Sequence, residues 1–491
     1  MRRSDDGDAA AGWRDPVLLG LVVLGALVRI PPAFGDLWLD EVWTILAAAE
    51  LRSPLEVFTG FSESNNHHLN TLVAYFLGAG AHPVLYRLHS LAAGMASVAL
   101  AWDIGRFRGR STAVIAGALV ATSYVLIHFS SEARGYALLV FFALATYDAA
   151  WRFGRAPGWR SAVTVWVCTP LGFLSHLTYL YVFLATGTWL VIHLFRQSPH
   201  PREALERALW CLGVPVASFA ALYVALFRHI VIGEADAYTL GTVLVRTLSY
   251  AAGGPGAGPW ATVIAVLGAG ALLASIGWLY RAAGDDWVFY ALATIGAPAV
   301  VLLALRPEVL AVQYFVANVA FALVAVSLLA GALWDRGGWV AACVAAVLVL
   351  HVGGDAANVW RLSRFGRGAY REGVLYMAEH TPGQVVTITS DHDFRNGMIL
   401  AYYQRYLPSR KHFQYVPHGH QFPVEAVDDA AASPSTAGAA WMLFHHIGPG
   451  HGAERTIADR NGTIYTLAKR LPYADLAGWE WVIYVKRHQG S

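Results

Sequence analysis

Charge is what this chain has least of. Asp, Glu, Lys and Arg together make up 14% of its 491 residues, where a soluble domain carries about 25%. Long stretches therefore lack the charged outer shell of a water-soluble fold, which excludes a string of soluble domains. The 56% hydrophobic content likewise excludes a disordered chain or a coiled coil. Net charge is as sparse: 35 basic against 33 acidic residues leave +2, which gives no footing for nucleic acid. Cysteine is rarer still. Cys168, Cys211 and Cys343 all lie in apolar runs, without the spacing of a disulfide framework or a zinc site, and read as core residues. No internal repeat is found. The Gly- and Pro-rich run 251–259 lacks the Gly-Lys-Ser/Thr of a phosphate loop and reads as a flexible loop leading into a span.

What the chain has instead is apolar length. A membrane helix needs about 20 predominantly apolar residues, and such runs continue from Pro16 to about Val359. They divide into eleven spans, near 16–34, 84–105, 112–130, 134–152, 161–176, 178–195, 208–228, 259–281, 287–305, 309–332 and 338–358. The fifth and sixth come from one run too long for a single helix, divided at Ser175, His176 and Thr178.

Basic residues in short loops stay on the cytoplasmic side. Arg2, Arg3 and Arg14 precede the first span; Arg106, Arg108 and Arg110 follow the second; Arg152, Arg155 and Arg160 follow the fourth; Arg196, Arg202 and Arg207 follow the sixth. The N-terminus is therefore expected inside. The alternate loops hold few basic residues, chiefly Arg52, Arg134, Arg246 and Arg306, and carry the conspicuous acids, histidines and aromatics instead. Polar chemistry is thus expected outside. Arg29, Pro31 and Pro32 end the first apolar run without a small-residue cleavage site, which reads as a retained anchor.

Two stretches outside the spans are too long to be simple connections. Within Gly35 to Pro83, the pieces Trp38–Leu51 and Leu69–Gly80 are amphipathic and suit helices lying in the interface. From Trp360 to Ser491 charge returns and apolar residues shorten into runs. Val385–Thr389, Phe413–Val416, Trp441–Phe444 and Trp481–Val485 read as strands, with helices at Tyr370–Glu379 and Met398–Tyr406. The expected organisation is a membrane domain over 1–359, with its first outer loop at 35–83, followed by a small extracytoplasmic α/β domain over 360–491.

Several constellations on the outer face can carry chemistry, and each also has a plainer role. Asp36, Asp40 and Glu41 stand among tryptophans just past the first span. There a partly desolvated carboxylate can serve as a base, or can cap an interfacial helix. Glu132, Arg134 and Tyr136 follow the third span, where Glu132 and Arg134 either form an ion pair or serve a substrate. Asn65, Asn66, His67 and His68 open the second amphipathic piece. Adjacent histidines on a helix point about 100° apart, so they suit hydroxyl or phosphate contacts, or solvation, better than chelation. His176, with Thr178 and Tyr179, forms another outward polar cluster. Arg306, near Gln313 and Tyr314, can hold a phosphate or snorkel. No metal constellation can be named, and a helping divalent cation is left open. Asn461-Gly462-Thr463 fits a glycosylation acceptor but carries no weight.

These residues resemble a family. Trp38-Leu39-Asp40-Glu41, His67-His68-Leu69, Arg87-Leu88 and Glu132-Ala133-Arg134-Gly135-Tyr136 resemble the motifs of bacterial GT-C superfamily glycosyltransferases. The nearest group looks like the glycosyltransferase 39 and RgtA/B/C/D-like set, similar to protein O-mannosyltransferases and the lipid A aminoarabinose transferase. The likeness covers the first 200 residues best, and the order of spans followed by an outer α/β tail extends it. It implies a GT-C fold in a bacterial inner membrane, a polyprenyl-phosphate sugar donor, inversion at the anomeric carbon, and a lipid, glycan or protein acceptor. Asp40 matches the acid that activates the acceptor, with Glu41 its neighbour in the motif. Many relatives have Arg-Tyr where this chain has Gln313-Tyr314, which leaves Arg134 or Arg306 for the donor phosphate. The rival readings are a transporter or flippase and a non-catalytic binder of lipid-linked sugars. Polar groups gathered at one face, with no repeated halves, argue against a transporter.

Overall fold

A computed structural model describes residues 15–63, 65–230, 238–282, 284–307, 309–417, 439–446, 453–458 and 463–487. Arg2, Arg3 and Arg14 of the orientation signal lie outside them, as do the first two residues of the glycosylation pattern at 461–463. The chain forms two compact units, one from 1–33 and 51–359, the other from 34–50 and 360–491.

The first unit is helical. Among the described residues nine helices are long and apolar enough to cross a membrane, and a bent pair, Arg110–Thr122 and Tyr124–Ser130, makes a tenth. Of the eleven spans read from sequence, the remaining one is Trp159–Ser175, whose 17 residues reach only about 26 Å at 1.5 Å per residue. The long run around 161–195 breaks after Ser175, and the next helix begins at Tyr179. The polytopic helical architecture is therefore that expected from hydropathy.

The bent pair turns by 56° at Ser123, whose extended ψ of 120° interrupts the ladder. In hydrocarbon, freed backbone groups need partners, and distant side chains supply them here. The buried Arg29 guanidinium donates to the carbonyls of Val120 (2.9 Å) and Ala121 (2.8 Å) and to Ser130 Oγ (2.8 Å). In a continuous helix those two carbonyls would accept from residues 124 and 125. Asp355, buried on the last long helix (Gly338–Phe365), accepts the N–H of Tyr124 at 3.0 Å. Arg29 therefore lies inside the first helix, which runs on through Pro31 and Pro32 to Ala33.

At the other end of the bundle, arginines counted above as orientation signals close ion pairs. Arg108 and Arg155 meet the buried Asp286 at 2.6 and 3.1 Å, and Arg106 and Arg152 meet Asp103 at 2.6 and 2.5 Å.

The second unit is an α/β domain with a six-stranded sheet of order β2-β1-β3-β6-β5-β4. Its strands are β1 (Val385–Ser390), β2 (His412–Tyr415), β3 (Trp441–His446), β4 (Thr456–Ala458), β5 (Ile464–Leu471) and β6 (Glu480–Lys486). β1 pairs in parallel with β2 and β3, and the remaining neighbours are antiparallel. Sequence patterning finds four of the strands and misses β4 and β5, where polar residues interleave with short apolar stretches. The helix Leu39–Glu50 belongs to this unit and buries Leu39, Val42, Ile45 and Ala48, a spacing of three that winds the apolar contact around about half of the helix.

Candidate functional site

In the membrane unit, the turn Ser131–Gly135 connects the bent pair to the helix Tyr136–Arg155, and side chains from distant segments hold it. Ser90 Oγ donates to the Arg134 carbonyl at 3.1 Å, and the Gly135 N–H donates to His67 Nδ1 at 2.8 Å. Gly135 is required by close approach: a Cβ there would lie 2.0 Å from the Ser175 carbonyl oxygen. Gly94 meets the same constraint against the bent pair, where a Cβ would lie 2.6 Å from Ser130 Cβ. Arg87, also buried, donates to the Ala33 carbonyl at the end of the first span, at 2.9 Å.

The segment bearing His67 is fixed by Asn66. Its amide donates to the carbonyls of Val57 (2.8 Å) and Phe61 (2.7 Å) while its oxygen accepts from Thr71 Oγ1 (2.8 Å). Asn65 turns instead to Arg134, whose guanidinium donates to the Asn65 carbonyl at 3.1 Å and to its Oδ1 at 2.6 Å. The second guanidinium nitrogen stands 3.3 Å from His67 Nε2.

Around this pair the rings close in. His67 lies edge-on to Tyr136 at 5.0 Å and to His176 at 4.7 Å, Tyr136 is 5.0 Å from His176, and Tyr314 is 6.0 Å beyond. The Arg134 guanidinium lies 5.8 Å from the centre of the Tyr136 ring. Glu132 is fully buried in the same turn. His68 points elsewhere, stacked on Phe58 at 5.5 Å, as the 100° step of a helix requires.

Burial, and then the Arg134 charge, hold His67 well below the ordinary histidine pKa of 6.5 and draw His176 down to about 3. Burial alone lowers His68 to about 4. All three rings are therefore neutral near pH 7. Because His67 Nδ1 accepts the Gly135 N–H, the neutral ring carries its proton on Nε2. Two donors, His67 Nε2–H and the Arg134 guanidinium, thus face one another at 3.3 Å. Such an arrangement favours an anionic oxygen able to accept from both.

Arg306 is not among the residues whose described contacts hold this cluster. It is exposed at the end of the helix Ala297–Leu305, with a left-handed φ of 44°. Among the sequence-named residues, His67, Arg134, Tyr136 and Tyr314 come together, with Glu132 in the same turn. Asn65 and His176, named in the sequence only as polar neighbours, turn out to be direct members. Ser90 gave no sequence signal at all.

In the second unit, Asp40 and Glu41 open the helix Leu39–Glu50. Glu41 is fully buried, and its Oε2 accepts the Trp38 N–H at 3.2 Å. A carboxylate reaching back to its own helix start in this way is half of a capping box. Asp40 is half-buried, and Thr44 Oγ1 donates to its carbonyl at 2.8 Å. Asp36 also caps a helix, though a distant one: its Oδ2 accepts the N–H of Arg371 at 2.8 Å, at the start of Tyr370–Glu379. Among the described residues no group of three or more His, Cys, Asp or Glu side chains is arranged to hold a metal ion.

Comparison with known proteins gives a fold. No family model matches the sequence, and no curated protein matches it. The structure is similar to that of ArnT from Cupriavidus metallidurans in the apo state, with a TM-score of 0.52 and 13% identity, over 97% of this chain and 98% of that one. It is also similar to an oligosaccharyltransferase from Archaeoglobus fulgidus tethered to an acceptor peptide containing the NVT sequon. There the TM-score is 0.51 and the identity 11%, over 88% of this chain and 69% of that one. The chain has the GT-C fold: a polytopic helical membrane region followed by a small C-terminal α/β domain.

Proposed function

We propose that this protein is an inverting glycosyltransferase that moves a sugar from a polyprenyl-phosphate carrier to a lipid, glycan or protein acceptor on the outer face of a bacterial inner membrane. The observation that carries the reading is the buried pair of donors, His67 Nε2–H and the Arg134 guanidinium, converging at 3.3 Å inside a GT-C fold.

In this reading the pair holds the donor phosphate. As the bond from the anomeric carbon to the phosphate oxygen breaks, its electrons stay on that oxygen, and the two N–H groups stabilise the growing charge. Polyprenyl phosphate is a good leaving group and needs no separate protonating acid. Asp40 is the base that takes the proton of the acceptor hydroxyl, and the hydroxyl oxygen displaces the phosphate at the anomeric carbon with inversion. Glu41, buried on the Trp38 N–H, supports the helix start beside it. Glu132 offers negative charge to the oxocarbenium-like centre. Tyr136, His176 and Tyr314 offer ring faces and edges for the sugar.

The test is transfer of labelled sugar from a panel of polyprenyl-phosphate sugars, using membranes that hold the intact protein, Asp40→Asn or Arg134→Ala, with and without chelator. Transfer by the intact protein alone is the expected result. Full activity in Asp40→Asn would remove the base assignment. If the folded intact protein consumes no donor, the transporter and binding-protein readings take its place.

A further inference from the structure

We infer that Asp36 and Tyr403 are positioning residues: the C-terminal domain holds the helix that presents Asp40. The inference rests on the assignment of Asp40 as the base. It gives a role to a domain whose sequence suggests none.

Asp40 stands in a short stretch pinned on both sides to one domain. Four residues before it, Asp36 caps the Tyr370–Glu379 helix through the Arg371 N–H (2.8 Å). Three before it, the Leu37 carbonyl accepts the buried Tyr403 hydroxyl at 2.9 Å. Three after it, the Trp43 ring meets the edge of Phe394 at 5.2 Å. Tyr403 and Phe394 both lie on the helix Asp393–Tyr403, which follows β1. Tyr403 is itself packed 5.9 Å from Tyr370, the first residue of the helix that Asp36 caps. These partners are more than 320 residues from Asp40 in sequence, so no local preference of the segment 36–43 produces them.

Their geometric effect is on direction. One residue of slippage in a helix turns a side chain by about 100°, and a misplacement of about 1 Å at a reacting group can cost on the order of 100-fold in rate. Glu41 fixes the helix start from within. The Asp36 and Tyr403 contacts fix where that start is anchored. Without them the helix keeps its ends and its apolar side but loses its set orientation. The effect should therefore fall on turnover rather than on donor affinity, which this reading assigns to residues of the other unit.

The experiment uses the full-length protein in detergent or nanodiscs, with Asp36→Ala, Asp36→Asn, Tyr403→Phe and Asp40→Asn. Hydrogen exchange is read first, because it needs no donor. Asp36→Ala and Tyr403→Phe should speed exchange at residues 38–44 at least tenfold while β6 stays protected. With the donor that the panel identifies, each should lower kcat about tenfold and leave the donor KM within twofold. Asp36→Asn, which keeps an acceptor oxygen, should restore kcat to within about twofold of the parent. Unchanged exchange at 38–44 in folded protein overturns the inference, as does a loss of kcat that comes only with a matching loss of Tm and donor affinity. If Asp36→Ala does not fold, Tyr403→Phe decides, since it removes one hydroxyl and leaves the ring. Activity in Asp40→Asn overturns the base assignment itself; an inactive Asp40→Asn beside fully active Asp36→Ala and Tyr403→Phe overturns only the positioning role.

Discussion

Gly135 donates its backbone N–H to His67 Nδ1 at 2.8 Å across 68 positions of sequence. That one bond fixes the tautomer of the histidine and turns its remaining N–H toward Arg134. It forms because residue 135 has no side chain, so the turn can lie against the Ser175 carbonyl.

Gly135→Ala should therefore be severe. The added Cβ would lie 2.0 Å from a backbone oxygen, so the turn must move, at an overpacking cost of about 1–3 kcal/mol. The expected outcome is a lowered melting temperature and transfer reduced at least 100-fold. Unchanged melting would mean that the turn and the Ser175 carbonyl are not in contact.

Arg134→Lys should fail almost as fully as Arg134→Ala. The guanidinium bonds the Asn65 carbonyl and Oδ1 through one nitrogen and faces His67 with another, a fork that a single ammonium cannot reproduce. We expect the donor KM to rise at least tenfold for the lysine variant, which corresponds to about 1.4 kcal/mol. A lysine variant with the parent KM would show that the forked geometry is not used.

Acid should destabilise the folded protein. His67, His68 and His176 titrate lower in the folded chain than the usual 6.5, so between those values the unfolded chain binds more protons. Their contribution to stability is complete above about pH 6.5 and falls as the pH drops toward about 4 for His68 and about 3 for His176. Melting temperatures from pH 7.5 down to 4.5 should decline, and His176→Gln should flatten the slope. An identical slope in that variant would count against a buried neutral His176.

The broken span should depend on Arg29. Replacing it with Met leaves the carbonyls of Val120 and Ala121 without their guanidinium partner, whereas the Ser130 hydroxyl still donates to the Leu126 carbonyl at 2.6 Å. Buried groups stranded in this way cost about 1–3 kcal/mol each. Asp355→Asn keeps an oxygen for the Tyr124 N–H and should be milder than Asp355→Leu. Thermal unfolding in detergent orders the three variants; equal stability of Arg29→Met and the parent would rule out the capping role.

Much of the fold was legible because it follows from composition and period. Hydropathy placed the long helices, and the break near His176 was visible as three polar residues in an apolar run. Four strands of the tail showed as short apolar runs, whereas β5 (Ile464–Leu471) carries Thr466, Lys469 and Arg470 and did not. The polar cluster was only half legible. His67 and Arg134 were conspicuous polar residues near a membrane face, but nothing in their spacing says that Ser90, Asn65 and His176 join them.

The sequence by itself determined that this is a membrane protein of many spans with a soluble tail, because burial in lipid and exposure to water each demand a composition that can be counted. It determined too which polar groups are conspicuous where charge is otherwise scarce. Only the tertiary structure decided what those groups do to one another. It set the tautomer of His67 through a backbone N–H 68 residues away and satisfied a broken helix with Arg29 and Asp355. It also attached the Asp40 helix to the C-terminal domain through Asp36 and Tyr403. Hydrogen bonds between residues far apart in sequence leave no periodic trace along the chain, and the direction of a side chain exists only once the backbone that carries it has been placed.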